Sequence, residues 1–189
     1  MDPELQETLD ALRSAIDRRD ADAVEDAIRQ LESFLEEGVW PVDVFETVRR
    51  LLLDPRFLPL RTSYGIARLI QHNWQELSEA QRTDLEPALA SAFDKFGDWL
   101  GTFVVAEIFG DLYADDEAFA TLDRLSSSAA TRPACALAAY GLGRLARTVR
   151  EGPLYTRVIE RLEALTNSDA PEIHQEAVEA LARLERRSR

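Results

Sequence analysis

The chain has 189 residues, 46% hydrophobic and 30% charged, which allows a substantial core and excludes a disordered polymer. Its formal net charge of −13 opposes the cationic track through which a nucleic-acid binder releases counterions. The single cysteine, Cys135, excludes an intrachain disulfide and a cysteine-rich zinc site. In chain order, "PELQETLDALRSAI" opens with a proline in its first turn and spaces Leu5, Leu9, Leu12 and Ile16 along one helical face. "AVEDAIRQLESFLEE" follows, with Gly38 where a left-handed cap would sit. "PVDVFETVRRLLL" carries Asp43 and Glu46 in capping-box spacing, stops at Asp54-Pro55, and is preceded by Trp40 as a hydrophobic staple. After "LRTSYGIARLIQHNW", Ser78 and Gln81 form a second capping box before "EAQRTDLEPALASAFDKF", where Pro87 is expected to kink or split the helix before Gly97. Then come "DWLGTFVVAEIFGDLYADDE", "DEAFATLDRLSS", "PACALAAYGLGRLARTV", "PLYTRVIERLEAL" and "PEIHQEAVEALARLE". The pattern predicts an all-α chain of about ten helices in five hairpins.

Charge is spread unevenly. Residues 1–40 hold twelve acids against four arginines, residues 98–127 seven acids against Arg124, and residues 128–189 ten arginines against eight acids. The opening residues lack a basic, apolar, small-residue leader pattern, and no apolar run reaches about 18 residues. A cytoplasmic protein off the membrane is therefore expected, as a monomer or weak dimer.

The second helix of each pair repeats. "YGIARL" from Tyr64, "EIFGDL" from Glu107, "YGLGRL" from Tyr140 and "EALARL" from Glu179 align without gaps at offsets of 43, 33 and 39 residues. Each has a small residue (Ala67, Gly110, Gly143 or Ala182), then a polar residue, then leucine. A mid-helix glycine costs about 1 kcal/mol against alanine, so its place is where a neighbouring helix approaches closely.

The segment "LEPALASAFDKFGDWLGTFVVAEIFGDL" resembles a HEAT repeat, with proline in the first helix, Asp98 at the turn and an alanine- and leucine-rich second helix. "VIERLEALTNSDAPEIHQEAVEALARL" resembles one more closely, with Asp169 at the turn and Ile173 and Ala177 following. Members often carry valine-arginine where Ile173-His174 stands here, which weakens the family's aspartate–arginine ladder. The resemblance covers residues 41–186, with residues 1–40 as a capping helix pair that is equally similar to a tetratricopeptide-type cap. It implies one domain over residues 1–189, a right-handed α-α superhelix, that is, a short α-solenoid of about five antiparallel helix pairs. It also implies a concave face, lined by the second helices, that recognises proteins.

On a wheel of about 100° per residue, Asp111 lies about 40° and Asp115 about 80° from Glu107, opposite Val105, Ile108, Phe109 and Leu112. Carried through the alignment, this edge becomes three rows. Glu107 aligns with Tyr64, Tyr140 and Glu179; Asp111 with Arg68, Arg144 and Arg183; Asp115 with His72, Thr148 and Arg187. Asp111 is expected between Arg68 and Arg144 in an exposed ladder whose pairs are each worth about 0–1 kcal/mol.

Other chemistry finds little support. No Glu-x-x-His pair accompanies the carboxylates, and "DLYADDE" lacks the alternating ligands and central glycine of a calcium loop; Asp115 to Glu117 read instead as the acidic start of the next helix. No phosphate loop, nucleophile elbow or histidine-based triad appears, and Cys135 reads as a small buried hydrophobe. No catalytic, cofactor-binding or metal site is expected. Trp74 and Trp99 are expected to cap the core near helix ends, and Phe103 to pack between repeats.

The expected role is a non-catalytic protein-interaction module or scaffold. Its concave face comprises Tyr64, Arg68, His72, Glu107, Asp111, Tyr140, Arg144, Glu179 and Arg183. The alternatives are an acidic inhibitor or immunity-type protein that blocks a basic partner such as a nuclease, and a HEAT-like DNA-repair glycosylase, which needs a cationic face.

Overall fold

Every regular element of the computed structural model is helical among the residues it describes, 3–35, 42–58, 62–96 and 99–186. Gly38, Trp40, Gly97, Asp98 and Arg187 lie outside these residues. Ten α-helices are described: α1 (Pro3–Arg18), α2 (Ala21–Leu35), α3 (Val42–Leu53), α4 (Thr62–His72), α5 (Glu79–Ala92), α6 (Trp99–Glu107), α7 (Asp116–Ser128), α8 (Arg132–Val149), α9 (Gly152–Leu165) and α10 (Pro171–Glu185). A 3₁₀ turn spans Trp74–Glu76 and a π-helical turn Ile108–Tyr113. None of the described helices is long and apolar enough to cross a membrane. The helices gather into two compact units, Met1–Gly101 and Thr102–Arg189.

In the first unit the apolar periodicity becomes the core. Leu9, Leu12 and Ile16 of α1 are at most 1% exposed and face α2. Arg19 takes a left-handed conformation (φ 59°) that ends α1, and the Asp20 amide donates back to the Ala15 carbonyl at 3.0 Å. The Asp20 carboxylate then accepts from the Ala23 amide at 3.1 Å, so one residue closes the first helix and caps the second. α1 packs on α3, α2 on α4 and α3 on α5. A methyl group at Gly65 would lie 2.9 Å from Ile28 Cγ2, which shows how closely α2 and α4 approach.

Two local expectations, the cap at Asp43 and the split at Pro87, turn out differently, while α3 stops before Asp54-Pro55 as expected. Asp43 lies within the first turn of α3, so it is no N-cap there; its carboxylate stands 3.6 Å from Arg13 instead. Asp54 accepts from the Arg56 amide at 3.1 Å and from Arg56 Nε at 2.8 Å, closing its own turn. Pro87 does not split α5, which runs through it, although Pro87 has no amide to donate to the preceding turn. The second capping box is present: Ser78 Oγ accepts from the Gln81 amide at 3.3 Å and Gln81 Oε1 from the Ser78 amide at 2.9 Å. Trp74 is buried, and Arg82 lies 5.3 Å from its ring while donating to its carbonyl.

The second unit centres on α8, which packs against α7, α9, α10 and the π turn. Ala138, Ala139, Leu142 and Leu145 are fully buried on it, and Cys135 is buried nearby. Small residues let the neighbours in. A methyl group at Gly110 would lie 2.6 Å from both Arg144 Cβ and the Gly141 carbonyl, and one at Gly143 2.7 Å from Ala180 Cβ. Thr131 caps α8 through the Ala134 amide. Asp115 caps α7, accepting from the Ala118 amide at 2.8 Å, so the acidic run from Asp115 starts a helix as expected.

The first helices of the two hairpins, α7 and α9, are tied by arginine. Arg157 donates to Asp116 at 2.5 Å and lies 4.6 Å from the Phe119 ring. Arg161 donates to Ser126 Oγ at 3.0 Å and pairs with Asp123 at 2.6 Å, bringing positive charge to the C-terminal turn of α7, where the helix dipole favours it.

Candidate functional site

Glu107 ends α6, and Asp111 sits in the π turn that continues it. The turn closes at Ala114, held left-handed (φ 51°, ψ 39°), whose amide donates to the Phe109 carbonyl five residues back at 3.1 Å. Ile108, Phe109 and Gly110 are buried, so the one polar side of this segment is turned to α8.

There the two carboxylates meet Tyr140 and Arg144 at the 33-residue offset of the sequence alignment. Arg144 Nε lies 2.9 Å from each Asp111 oxygen and its Nη2 also donates to Asp111, a forked guanidinium–carboxylate pair. Its Nη1 donates to the Tyr140 hydroxyl at 3.1 Å and lies 3.1 Å from Glu107 Oε1, while Tyr140 donates to that same oxygen at 3.0 Å. Thr148 donates to Asp111 at 3.5 Å. The ladder was expected to be exposed; instead the side chains of Glu107, Asp111 and Arg144 are 15%, 23% and 24% exposed. Asp111 raises the guanidinium pKa of Arg144 further above its ordinary value against the opposing effect of burial, and burial raises that of the Tyr140 phenol. Both shifts favour the protonated form of each group, which suits a structural clasp.

Beside this clasp lies a cleft of about 580 Å³ between Phe103 of α6, α8 and α10. Its floor is apolar: Phe103 stacks on Tyr140 with centroids 4.9 Å apart, and Gly143, Ala180 and Leu184 complete it. Arg144, Arg147, Arg183 and Arg186 supply its charge, with no carboxylate among the lining residues.

The expected residues divide between the two units. In the first, Tyr64 is 37% exposed, with Arg68 6.0 Å from its ring and donating to Gln71 at 2.8 Å, and His72 is exposed. In the second, Glu107, Asp111, Tyr140 and Arg144 come together as described. On α10, Arg183 pairs with Glu179 at 2.5 Å and Glu176 at 3.3 Å, so that edge pairs along its own helix. The rows align Arg183 with Arg144, and two like charges have no pair to make.

The sequence reading passed over Arg147 and Arg186, although a signal was there. Arg144–Arg147 and Arg183–Arg186 repeat one i, i+3 spacing at the 39-residue offset. Trp99 was expected to cap the core and is instead 61% exposed. Among the described residues, no group of three or more histidine, cysteine, aspartate or glutamate side chains is placed to hold a metal ion. No family model matches the chain, and neither a curated protein nor a solved structure matches it.

Proposed function

We propose that the chain is a short α-solenoid of the HEAT type whose second helices form a protein-recognition face, acting by binding rather than by catalysis. One observation carries this reading: within each unit a helix packs on the helix two places further along. α1 meets α3, α2 meets α4 and α3 meets α5 in the first unit; α7 meets α9 and α8 meets α10 in the second. Stacked helix pairs produce that pattern because each repeat buries its apolar side only against its neighbours. The 33-residue register of Glu107 with Tyr140 and Asp111 with Arg144 supports the same stacking. Tyrosine and arginine on the second helices are the residue types that protein interfaces favour.

The test is retrieval of partners on the immobilised chain from a lysate of its own host, repeated with the variant Arg68→Glu/Arg183→Glu. The two side chains lie on α4 and α10, one in each unit, and outside the Asp111–Arg144 clasp. A partner held by the native chain and released by the variant, at unchanged helicity, is the expected result. A partner held equally by both would move recognition off this face.

A further inference from the structure

We propose that the cleft between Phe103, α8 and α10 receives an acidic segment of a partner protein, anchored by one large apolar side chain. This rests on the protein-recognition reading above and names the partner chemistry for one part of that face. The volume of about 580 Å³ falls within the range of about 300–1,000 Å³ typical of ligand pockets. Phe103, stacked on Tyr140, and Leu184 offer an aromatic and aliphatic floor on which such a side chain loses its contact with water.

The arginines set the sign of what surrounds the anchor. Arg144 is saturated by Asp111, Glu107 and Tyr140, and Arg183 is paired with Glu176 and Glu179. Arg147 has one distant partner, Asp111 at 3.7 Å, which Arg144 already holds. Arg186 donates Nε to the Ala182 carbonyl at 3.1 Å, and its terminal nitrogens carry no bond or ion pair among the described residues. Two guanidinium groups beside an apolar floor thus have capacity for carboxylates, and a guanidinium fork matches a carboxylate in two parallel bonds. Beyond a Debye length of about 8 Å at physiological salt, the net negative charge of the chain acts only weakly on a segment seated here. Nucleic acid is a poorer occupant. Two cations make no counterion-releasing track, and the −13 net charge opposes a long polyanion.

The experiment is fluorescence anisotropy of the full chain with a short labelled peptide of aspartate and glutamate around a central Phe-Leu pair. We expect saturable binding that weakens with added salt. Affinity should fall about tenfold or more in Arg147→Glu/Arg186→Glu, and by a smaller factor in the milder Arg147→Gln/Arg186→Gln. Circular dichroism verifies that each variant is folded. A peptide with Ser-Gly in place of Phe-Leu should bind at least about tenfold more weakly. Absence of binding, equal binding by either variant, equal binding of the Ser-Gly peptide, or equal binding of a single-stranded oligonucleotide of the same charge would each overturn the proposal. So would light scattering that showed a dimer of the native chain and a monomer of Arg147→Glu/Arg186→Glu, because a second copy would then occupy the cleft. Should the peptide fail while a host partner is still lost on Arg68→Glu/Arg183→Glu, the acidic occupant is wrong and the recognition face stands. Should no partner depend on that pair, the broader reading falls.

Discussion

Arg144 shows how much one side chain can settle. Its fork to Asp111 and its contacts with Tyr140 and Glu107 join α8 to the α6–π segment in one register. A surface pair would be worth about 0–1 kcal/mol, but this one is bidentate and about three-quarters buried on each side. A double-mutant cycle with Asp111→Ala and Arg144→Ala, followed by urea unfolding, should therefore give a coupling of about 1–2 kcal/mol. A coupling near zero would make the clasp ornamental. Glu176 presents the opposite electrostatic case. Burial raises its pKa, outweighing the lowering effect of Arg183. A raised folded-state pKa means that its contribution is full below the unfolded value of about 4.3 and is lost as pH rises through the folded value. At pH 7 the ionised carboxylate therefore weighs against the fold. Glu176→Gln should be more stable than the native chain at pH 7, with the gain vanishing towards pH 4. Urea midpoints at the two pH values measure this, and a gain that grew on acidification would contradict it.

The continuation of α6 decides how close α8 can come. In the π turn at Ile108–Tyr113 the closing bond spans five residues, and it ends at Ala114, which pays for its left-handed backbone with steric strain that glycine would not have. Gly110 in this turn meets Gly141 and Arg144 with no room for a methyl group. Alanine is the better helix former by about 1 kcal/mol, yet a Cβ 2.6 Å from a backbone carbonyl forces the two segments apart. Gly110→Ala should therefore lose about 1–2 kcal/mol in urea unfolding, as overpacked sites do. A stabilised variant would mean that propensity outweighs the contact. The capping box at Ser78 follows from local chemistry and was readable as such, as was the buried face of α1. The π turn was not readable, because one added residue in a hydrogen-bond ladder is no property of residue type. A wheel with a constant angle per residue carries the row correctly as far as Asp111 and then puts Asp115, a helix cap, on the same edge.

At the scale of the whole chain, charge is divided like the fold. Residues 1–101 carry 21 acidic against 11 basic side chains, and residues 102–189 carry 14 against 11. Many of the ion pairs join side chains on one helix, such as Arg29 with Glu25 and Asp26, and these contribute little. Self-repulsion of the −13 net charge should then exceed what salt removes from such pairs. Raising sodium chloride from about 0.02 to about 0.2 M should move the urea midpoint upward. A falling midpoint would show that the ion pairs dominate.

The sequence by itself determined the helices, the capping box at Ser78, the buried face of α1 and the rows that put Glu107 beside Tyr140 and Asp111 beside Arg144. All of these depend on residue type at fixed spacing along one helix, or on one spacing repeated. Only the tertiary structure decided that this edge is a part-buried clasp, that Arg183 pairs along α10, and that Phe103, Leu184, Arg147 and Arg186 frame a cleft. Burial and pairing depend on how closely neighbouring helices approach, and that distance is set by which small residues meet across a contact: Gly110 against Gly141, and Gly143 against Ala180.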